Sequence, residues 1–265
     1  FAKESKEHKV FTRVAEQNGS YYLDLANGKG QVVQFTKDGW NVLDDSPVKF
    51  RRPLGLGELP VPKAPENGQT LDMLLYRNVN VKSDDVPLVR EFCVQCLFSA
   101  GPYAILAITG EPGSGKSKTV DRIKSIVDPN RFSITGSPRS EEDLIITAQN
   151  MQVLAYDNLS SIPNWLSDAL CRVATEGGLC MWGRGEESIH FAENPIILSS
   201  ISGVMDRPDL LDRFVQLELP VIPAERRKDE KELDAEFKKA HPQILGALLD
   251  VTVATLAALP GTKYE

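Results

Sequence analysis

The sequence predicts an α/β fold with a parallel sheet and helices on both faces, preceded by a small antiparallel β unit. Two observations indicate the sheet: residues 104–109, 151–157, 194–200 and 214–220 are short apolar runs, and segments of helical periodicity separate them. A third observation concerns the first fifty residues, where apolar and polar positions alternate between Asn-Gly and Asp-Gly pairs. That pattern is typical of β-hairpins.

A segment dense in proline and glycine separates the two regions. Residues 51–69 have neither a helical nor a strand period, so we expect an extended connector there. The boundary therefore divides a β-rich unit with its connector (1–69) from a domain that carries the parallel sheet and ends in a partial helical lid (70–265). The chain starts without Met and stops soon after a predicted apolar helix, so we expect a segment of a longer protein.

Composition and charge narrow the functional classes. The 265 residues carry a net charge of −7, so any contact with nucleic acid has to come from a local basic loop. No uninterrupted apolar run approaches the roughly 20 residues that a membrane span needs, and the charged N-terminus lacks the apolar core of a signal peptide. These features predict a cytoplasmic protein without membrane contact. The mixed charges of residues 224–243 predict a solvated helix face, or alternatively a face between subunits.

The segment GEPGSGKS, residues 110–117, matches the phosphate-binding pattern GxxxxGK[ST] between a predicted strand and a helix predicted over 118–127. Its glycines let backbone amides turn towards phosphates, Lys116 can neutralise β- and γ-phosphate oxygens, and Ser117 can ligate Mg²⁺. The helix N-terminus also attracts an anion, so the segment predicts a site for ATP and Mg²⁺. The residues expected to bind the nucleotide are Gly110, Glu111, Pro112, Gly113, Ser114, Gly115, Lys116, Ser117 and Lys118.

Three polar residues at predicted strand ends are candidates for the catalytic site. Asp157 ends the strand where a P-loop fold needs an acid to hold Mg²⁺; the alternative is a turn cap. Asn158 follows it and cannot accept a proton from the attacking water, so either the base lies elsewhere or hydrolysis relies on positioning. Ser199 ends the next strand and is a candidate contact for the γ-phosphate or the water, unless it is an ordinary strand-end serine.

An arginine before the last predicted strand is a candidate for contact with a neighbouring subunit. Arg213 would stabilise the charge that develops on the neighbour's γ-phosphate, and Arg207 is a less favoured choice. The alternative for Arg213 is an ion pair with Asp209 or Asp212.

The region from residue 70 resembles an AAA+ ATPase module, because strand, phosphate loop, aspartate strand, polar strand end and arginine follow in that order. Longer phrases, among them VLAYDNLSSIPNWLSDALCRVATEGG and RPDLLDRFVQLELP, look like the ATPase segment of primase-helicase proteins of phages, plasmids and mobile elements. These proteins are similar to superfamily 3 helicases. The resemblance implies a homo-oligomeric ring, commonly a hexamer, that binds ATP between subunits and moves along single-stranded DNA.

The chain also departs from the pattern that it resembles. The Asp157-Asn158 pair looks like a family trait, but Ser199 stands where relatives usually have Asn, and Asn194 stands where they usually have Arg. The first departure weakens the expected contact between Ser199 and the attacking water.

In helicases of this type, a hairpin or loop between the aspartate strand and the polar strand contacts DNA. Here that interval is TEGGLCMWGRGEESIHF, in which Trp182 offers a stacking face and Arg184 can bind a phosphate. Alternatively, Trp182 anchors the core or a subunit interface, and Arg184 forms a salt bridge.

Three functions stay open at this point. The favoured one is an ATP-driven, ring-forming DNA translocase or helicase of a mobile element or phage. The others are an AAA+ remodelling or switch ATPase that acts on a protein partner, and a protein that binds nucleotide but barely hydrolyses it. The N-terminal β unit is expected to be either a collar for ring assembly or a DNA-binding module.

Overall fold

The computed structural model describes residues 8–175, 178–183, 186–200 and 208–259. The first strands form a small β unit, in which β2 to β5 are an antiparallel meander and β1 pairs in parallel with β6. The predicted antiparallel unit is therefore confirmed, and the parallel β1–β6 pair is an addition. The strands are β1 (Val10–Phe11), β2 (Val14–Gln17), β3 (Ser20–Asp24), β4 (Val32–Thr36), β5 (Gly39–Leu43) and β6 (Lys49–Phe50).

The second part of the chain alternates helices and strands, as predicted. Its elements are α1 (Leu71–Asn78), α2 (Val86–Gln95), β7 (Ile105–Thr109), α3 (Lys116–Val127), α4 (Glu141–Asn150), β8 (Leu154–Leu159), α5 (Asn164–Thr175), β9 (Gly178–Gly183), β10 (Glu186–Phe191), β11 (Ile196–Ser200), α6 (Pro208–Leu211), β12 (Phe214–Glu218) and α7 (Glu230–Ala258).

Four strands form the central parallel sheet in the order β12-β7-β11-β8. One face packs against α3, α7 and the N-terminal β unit in a single hydrophobic cluster, and the other face packs against α4 and α5. The predicted α/β fold with helices on both faces is therefore confirmed. Because side chains alternate along each strand, successive residues of β7 enter opposite clusters, as Ile105 and Leu106 do.

Helix α7 contains the charged stretch from Glu230 onward and also the apolar run, which the sequence suggested as separate elements. Among the described residues it is the one helix that is long and apolar enough, by length and composition, to span a membrane. Ile244, Leu245, Leu248 and Leu249 are fully buried in the cluster that also holds α1, α2 and the N-terminal strands. These contacts make α7 a core helix of the fold.

The connector between the two regions, residues 51–69, forms neither a helix nor one of the named strands, and it packs directly on α7. The amide of Lys63 donates to the carbonyl of Pro242 at 2.8 Å. A Cβ on Gly246 would lie 2.0 Å from the carbonyl oxygen of Lys63, so only glycine permits this crossing.

A buried cluster of charges also joins the N-terminal unit to the sheet. Arg13 and Asp128 are both inaccessible to solvent, and their Nε and Oδ1 atoms are 3.2 Å apart. The other carboxylate oxygen of Asp128 lies 3.1 Å from Nζ of Lys124, near the end of α3. The same oxygen accepts hydrogen bonds from the amides of Gln152 and Val153, just before β8. This cluster links the N-terminal unit to the two elements that carry the predicted ATP site.

Candidate nucleotide site

The predicted phosphate loop leaves the carboxyl end of β7 and enters α3, as the motif requires. Gly113 and Gly115 have φ angles of 87° and 74°, a region that glycine adopts without strain, and Gly115 is the N-cap of α3. A Cβ on Gly110 would lie 2.7 Å from Oγ of Ser114. That Oγ is buried and has no hydrogen-bond partner among the described residues. A tight backbone cradle with an unpaired hydroxyl at a helix N-terminus fits a phosphate group.

The two lysines of the loop have different surroundings. Nζ of Lys116 donates to the carbonyl oxygens of Gly110 at 2.6 Å and Glu111 at 3.3 Å, so the ammonium lies over the loop itself. Nζ of Lys118 instead pairs with Glu230 and Asp234 at 2.9 and 2.6 Å. The Lys118 side chain therefore holds α7 against α3.

Asp157 and Ser199 meet at the carboxyl end of the sheet. Oγ of Ser199 donates to Oδ1 of Asp157 at 2.5 Å, and Ser199 is fully buried. Ala155 and Ile197, two residues earlier in each strand, pack in the cluster that contains α3. Because strand side chains alternate, Asp157 and Ser199 face α3, whose first turn carries Lys116 and Ser117. The structure thus brings the predicted strand-end residues to the same face of the sheet as the phosphate loop, at the carboxyl ends of the strands.

Asn158 is exposed and has a φ of 56°, in the left-handed region. It occurs where the pairing between β8 and β11 shifts register.

Arg213 lies at the opposite end of the sheet, where the parallel strands begin. The next residue, Phe214, pairs with Ile105 at the amino end of β7, whereas the phosphate loop follows the carboxyl end of that strand. The five residues of β7 span roughly 15 Å, so Arg213 is remote from the phosphate loop of its own chain. Within the described residues Arg213 has no ion pair, with Asp212 or any other acid. Arg207 and the side chain of Asp209 lie outside the described residues.

A β-hairpin of β9 and β10 lies between α5 and β11, where the sequence suggested a DNA-contacting hairpin or loop. Strands β9 and β10 pair antiparallel from Gly178 opposite Phe191 to Gly183 opposite Glu186. Trp182 belongs to β9, opposite Glu187, but its side chain is outside the described part, and Arg184 lies outside the described residues altogether. DNA contact by these two residues stays a prediction.

Two residues beside the phosphate loop were not predicted from the sequence. Nδ2 of Asn80 donates to the carbonyls of Ser114 at 2.7 Å and Pro220 at 2.9 Å, which ties the loop to the exit of β12. Nη2 of Arg227 lies 3.0 Å from the position that a Cβ on Gly113 would occupy. Arg227 belongs to residues 224–243, whose mixed charges predicted a solvated face. The sequence around Asn80 and Arg227 contains no motif that indicates a nucleotide site.

Asn194, one of the two departures seen in the sequence, has a structural role. Its Nδ2 donates to the carbonyls of Ala148, Met151 and Gln152 at 3.2, 2.8 and 3.2 Å. These are carbonyls at and after the end of α4, so Asn194 caps that helix and steadies the segment that leads into β8.

Comparison with known proteins adds three findings. Residues 71–263 match the family model described as "Actinomycete integrative conjugative element replication protein". No curated protein gives a significant match. Among solved structures, an A-form apo structure of the NrS-1 C-terminal region has a TM-score of 0.51 at 13% identity, covering 89% of this chain and 68% of that one.

Two further structures have lower similarity. Another apo structure of the NrS-1 C-terminal region (305–718) has a TM-score of 0.50 at 12% identity and covers 91% of this chain and 72% of that one. JCV helicase has a TM-score of 0.40 at 15% identity, covering 69% of this chain and 52% of that one, which is too distant to carry an argument. At these identities the NrS-1 region shares the fold with this chain.

Proposed function

Because the chain belongs to the family of actinomycete integrative conjugative element replication proteins, we propose that it is an ATP-hydrolysing, ring-forming DNA translocase or helicase of such an element. The observation that carries the proposal is the phosphate loop after β7, with Asp157 and Ser199 at the same carboxyl end of the sheet. A cradle of this kind binds nucleotide phosphates, and an acid at the tip of another parallel strand, here β8 beyond β11, completes the site of a P-loop NTPase.

The residues present fit ATP and Mg²⁺. The loop amides and Lys116 would bind the β- and γ-phosphates, while the Ser117 hydroxyl and the Asp157 carboxylate would hold Mg²⁺. The described residues contain no group of three His, Cys, Asp or Glu side chains that could hold a metal. Phosphate oxygens and water would therefore supply the remaining ligands, as is usual for Mg²⁺. Bound there, Mg²⁺ would neutralise charge on the phosphates.

The position of Arg213 supports a site completed by a second copy of the chain. An arginine at the amino end of the sheet is remote from its own phosphate loop. In a ring it would be available to the ATP bound by the neighbouring subunit. We therefore propose a homo-oligomer, a hexamer by the resemblance, with Arg213 acting in trans.

The test of the function is ATP hydrolysis measured with and without single-stranded DNA, together with strand displacement. We expect DNA to stimulate hydrolysis.

Replacing both Trp182 and Arg184 with alanine should weaken DNA binding by roughly tenfold or more, because one stacked base alone contributes about 1–3 kcal/mol. Lys37→Ala, in the exposed turn between β4 and β5, is the control. A hexamer that neither unwinds DNA nor responds to it contradicts the proposal.

A switch or remodelling ATPase that acts on a protein is the second candidate. The net charge of −7 and the acidic Glu186 and Glu187 in the hairpin favour it. Stimulation of turnover by a co-purified protein, with no stimulation by DNA, would support this second function.

Arg227 is a further candidate for phosphate binding within the same chain. Its guanidinium lies beside Gly113, and a charged hydrogen bond to phosphate is worth more than a neutral one. We expect Arg227→Ala to weaken binding of a fluorescent ATP analogue by about tenfold. Lys228→Ala is the matched control, because its ammonium pairs with Glu236 at 2.6 Å. Equal affinity for the wild type and Arg227→Ala would remove Arg227 from the site.

A further inference from the structure

The end of β8 contains a β-bulge at the residues predicted for catalysis. Tyr156 pairs with Leu198, and Leu159 pairs with Ser200. Two residues of β8, Asp157 and Asn158, therefore stand opposite Ser199 alone, which defines a bulge. Bulges of this type re-aim side chains beside functional sites.

The bulge determines which face each side chain reaches. Tyr156 and Leu159 are three residues apart, so in a regular strand they would lie on opposite faces, yet both pack in the cluster with α4 and α5. The left-handed conformation of Asn158 absorbs the extra residue. Asp157 keeps the face towards α3 that alternation from Ala155 gives it, while the extra residue returns Leu159 to the opposite core. Asparagine and glycine tolerate this conformation, whereas Glu and Ala are strained in it.

Two hydrogen bonds and the conformation of the next residue fix Asp157 in this position. Its amide donates to the carbonyl of Thr135 at 3.0 Å on the outer side of β8. Its carboxylate accepts from Oγ of Ser199 on the inner side. Asn158, which follows it, is exposed and sets the backbone direction. The hydroxyl of Ser199 is thus already engaged by Asp157.

We propose that Asn158 and Ser199 are positioning residues that aim the Asp157 carboxylate towards Mg²⁺, instead of contacting the attacking water. This inference rests on the proposed ATP site. It explains why asparagine occupies a position where many ATPases carry a glutamate base: the backbone there is left-handed, which disfavours glutamate.

The experiment measures how binding of a fluorescent ATP analogue depends on Mg²⁺ concentration. Asn158→Ala and Asn158→Glu should raise the half-saturating Mg²⁺ concentration roughly fivefold to tenfold. Asn158→Gly should stay within about twofold of the wild type, because glycine accepts the same backbone conformation. Nucleotide affinity in EDTA and the thermal midpoint without nucleotide should change little.

Ser199 supplies an independent arm. Ser199→Ala should raise the Mg²⁺ requirement roughly tenfold, because Asp157 loses its donor. Ser200→Ala is the matched control, since its buried Oγ has no hydrogen-bond partner among the described residues. Ser199→Ala combined with Asn158→Ala should cost less than the product of the two effects, because both residues act through Asp157.

The outcomes separate this inference from the proposed function. If Asn158→Glu leaves the Mg²⁺ requirement unchanged and raises turnover, residue 158 faces the water and the inference is wrong. Equal Mg²⁺ requirements for Gly, Ala and Glu at this position would also overturn it. If the wild-type chain itself shows no Mg²⁺-dependent ATP binding, the proposed function fails.

Discussion

Replacing Arg13 with methionine is expected to lower the free energy of unfolding by about 3 kcal/mol, measured by urea denaturation at pH 7. Arg13 and Asp128 are both inaccessible to solvent, so the variant leaves a buried carboxylate with one cation instead of two. Methionine fills a similar volume, and the loss therefore reports the broken charge contacts more than a cavity.

The expected loss is large because Arg13 does more than pair with Asp128. Its guanidinium also donates to the carbonyls of Asp24 at 3.0 Å, Gly57 at 2.8 Å and Pro129 at 3.2 Å. Burial alone raises the pKa of Asp128, but Lys124 and Arg13 together hold that pKa below its ordinary value. The remaining Lys124 limits the damage, which places the expected effect near the lower end of the range for broken buried ion pairs.

Arg172→Met is the control for this prediction. Arg172 pairs with Glu141 at 2.8 Å, and the two side chains are 41% and 39% exposed, so we expect a loss of about 1 kcal/mol or less. A carboxylate whose pKa is lowered by folding stabilises the fold at pH values above its pKa in the unfolded chain, about 4. The full loss of unfolding free energy in Arg13→Met should therefore be measured at pH 7, and the loss should become smaller as acid protonates Asp128. Equal stability of the two variants would mean that the buried cluster does not join the N-terminal unit to the sheet.

The elements with strong local patterns were predictable from the sequence. The four parallel strands form at the apolar runs, and the phosphate loop forms where the spacing of glycine and lysine predicts it. Both signals lie within a few consecutive residues. The division of the chain at residue 69 stays a prediction. Across it, the structure shows Arg13 and Asp128, 115 residues apart, in one buried cluster.

Site residues supplied by distant segments were not predictable. Asn80 and Arg227 reach the loop only after the chain has folded, and nothing near either in the sequence differs from an ordinary polar surface. Asn158 was recognised as unable to act as a base. Its left-handed backbone became visible only with the register shift between β8 and β11.

Mixing two inactive variants should restore ATP hydrolysis if the site is shared between subunits. Lys116→Ala should abolish activity at its own phosphate loop, because the ammonium that neutralises the β- and γ-phosphates is gone. Arg213→Ala should reduce turnover by about 10³-fold or more, because the transition-state charge loses its arginine. Each variant retains what the other lacks.

In a mixed ring, a subunit with Arg213→Ala keeps a complete phosphate loop, and a Lys116→Ala neighbour can present its intact Arg213 to that loop. Random mixing in equal amounts makes about one quarter of the interfaces complete, so roughly a quarter of wild-type activity should return. Because Arg213 is a sheet length away from its own loop, recovery can come only from contact between subunits. The control mixes Lys116→Ala with the double variant Lys116→Ala/Arg213→Ala. It should stay inactive because no subunit in this mixture has Lys116 in its phosphate loop. Full activity of Arg213→Ala alone, or no recovery in a mixed ring verified by light scattering, would show that Arg213 does not act in trans.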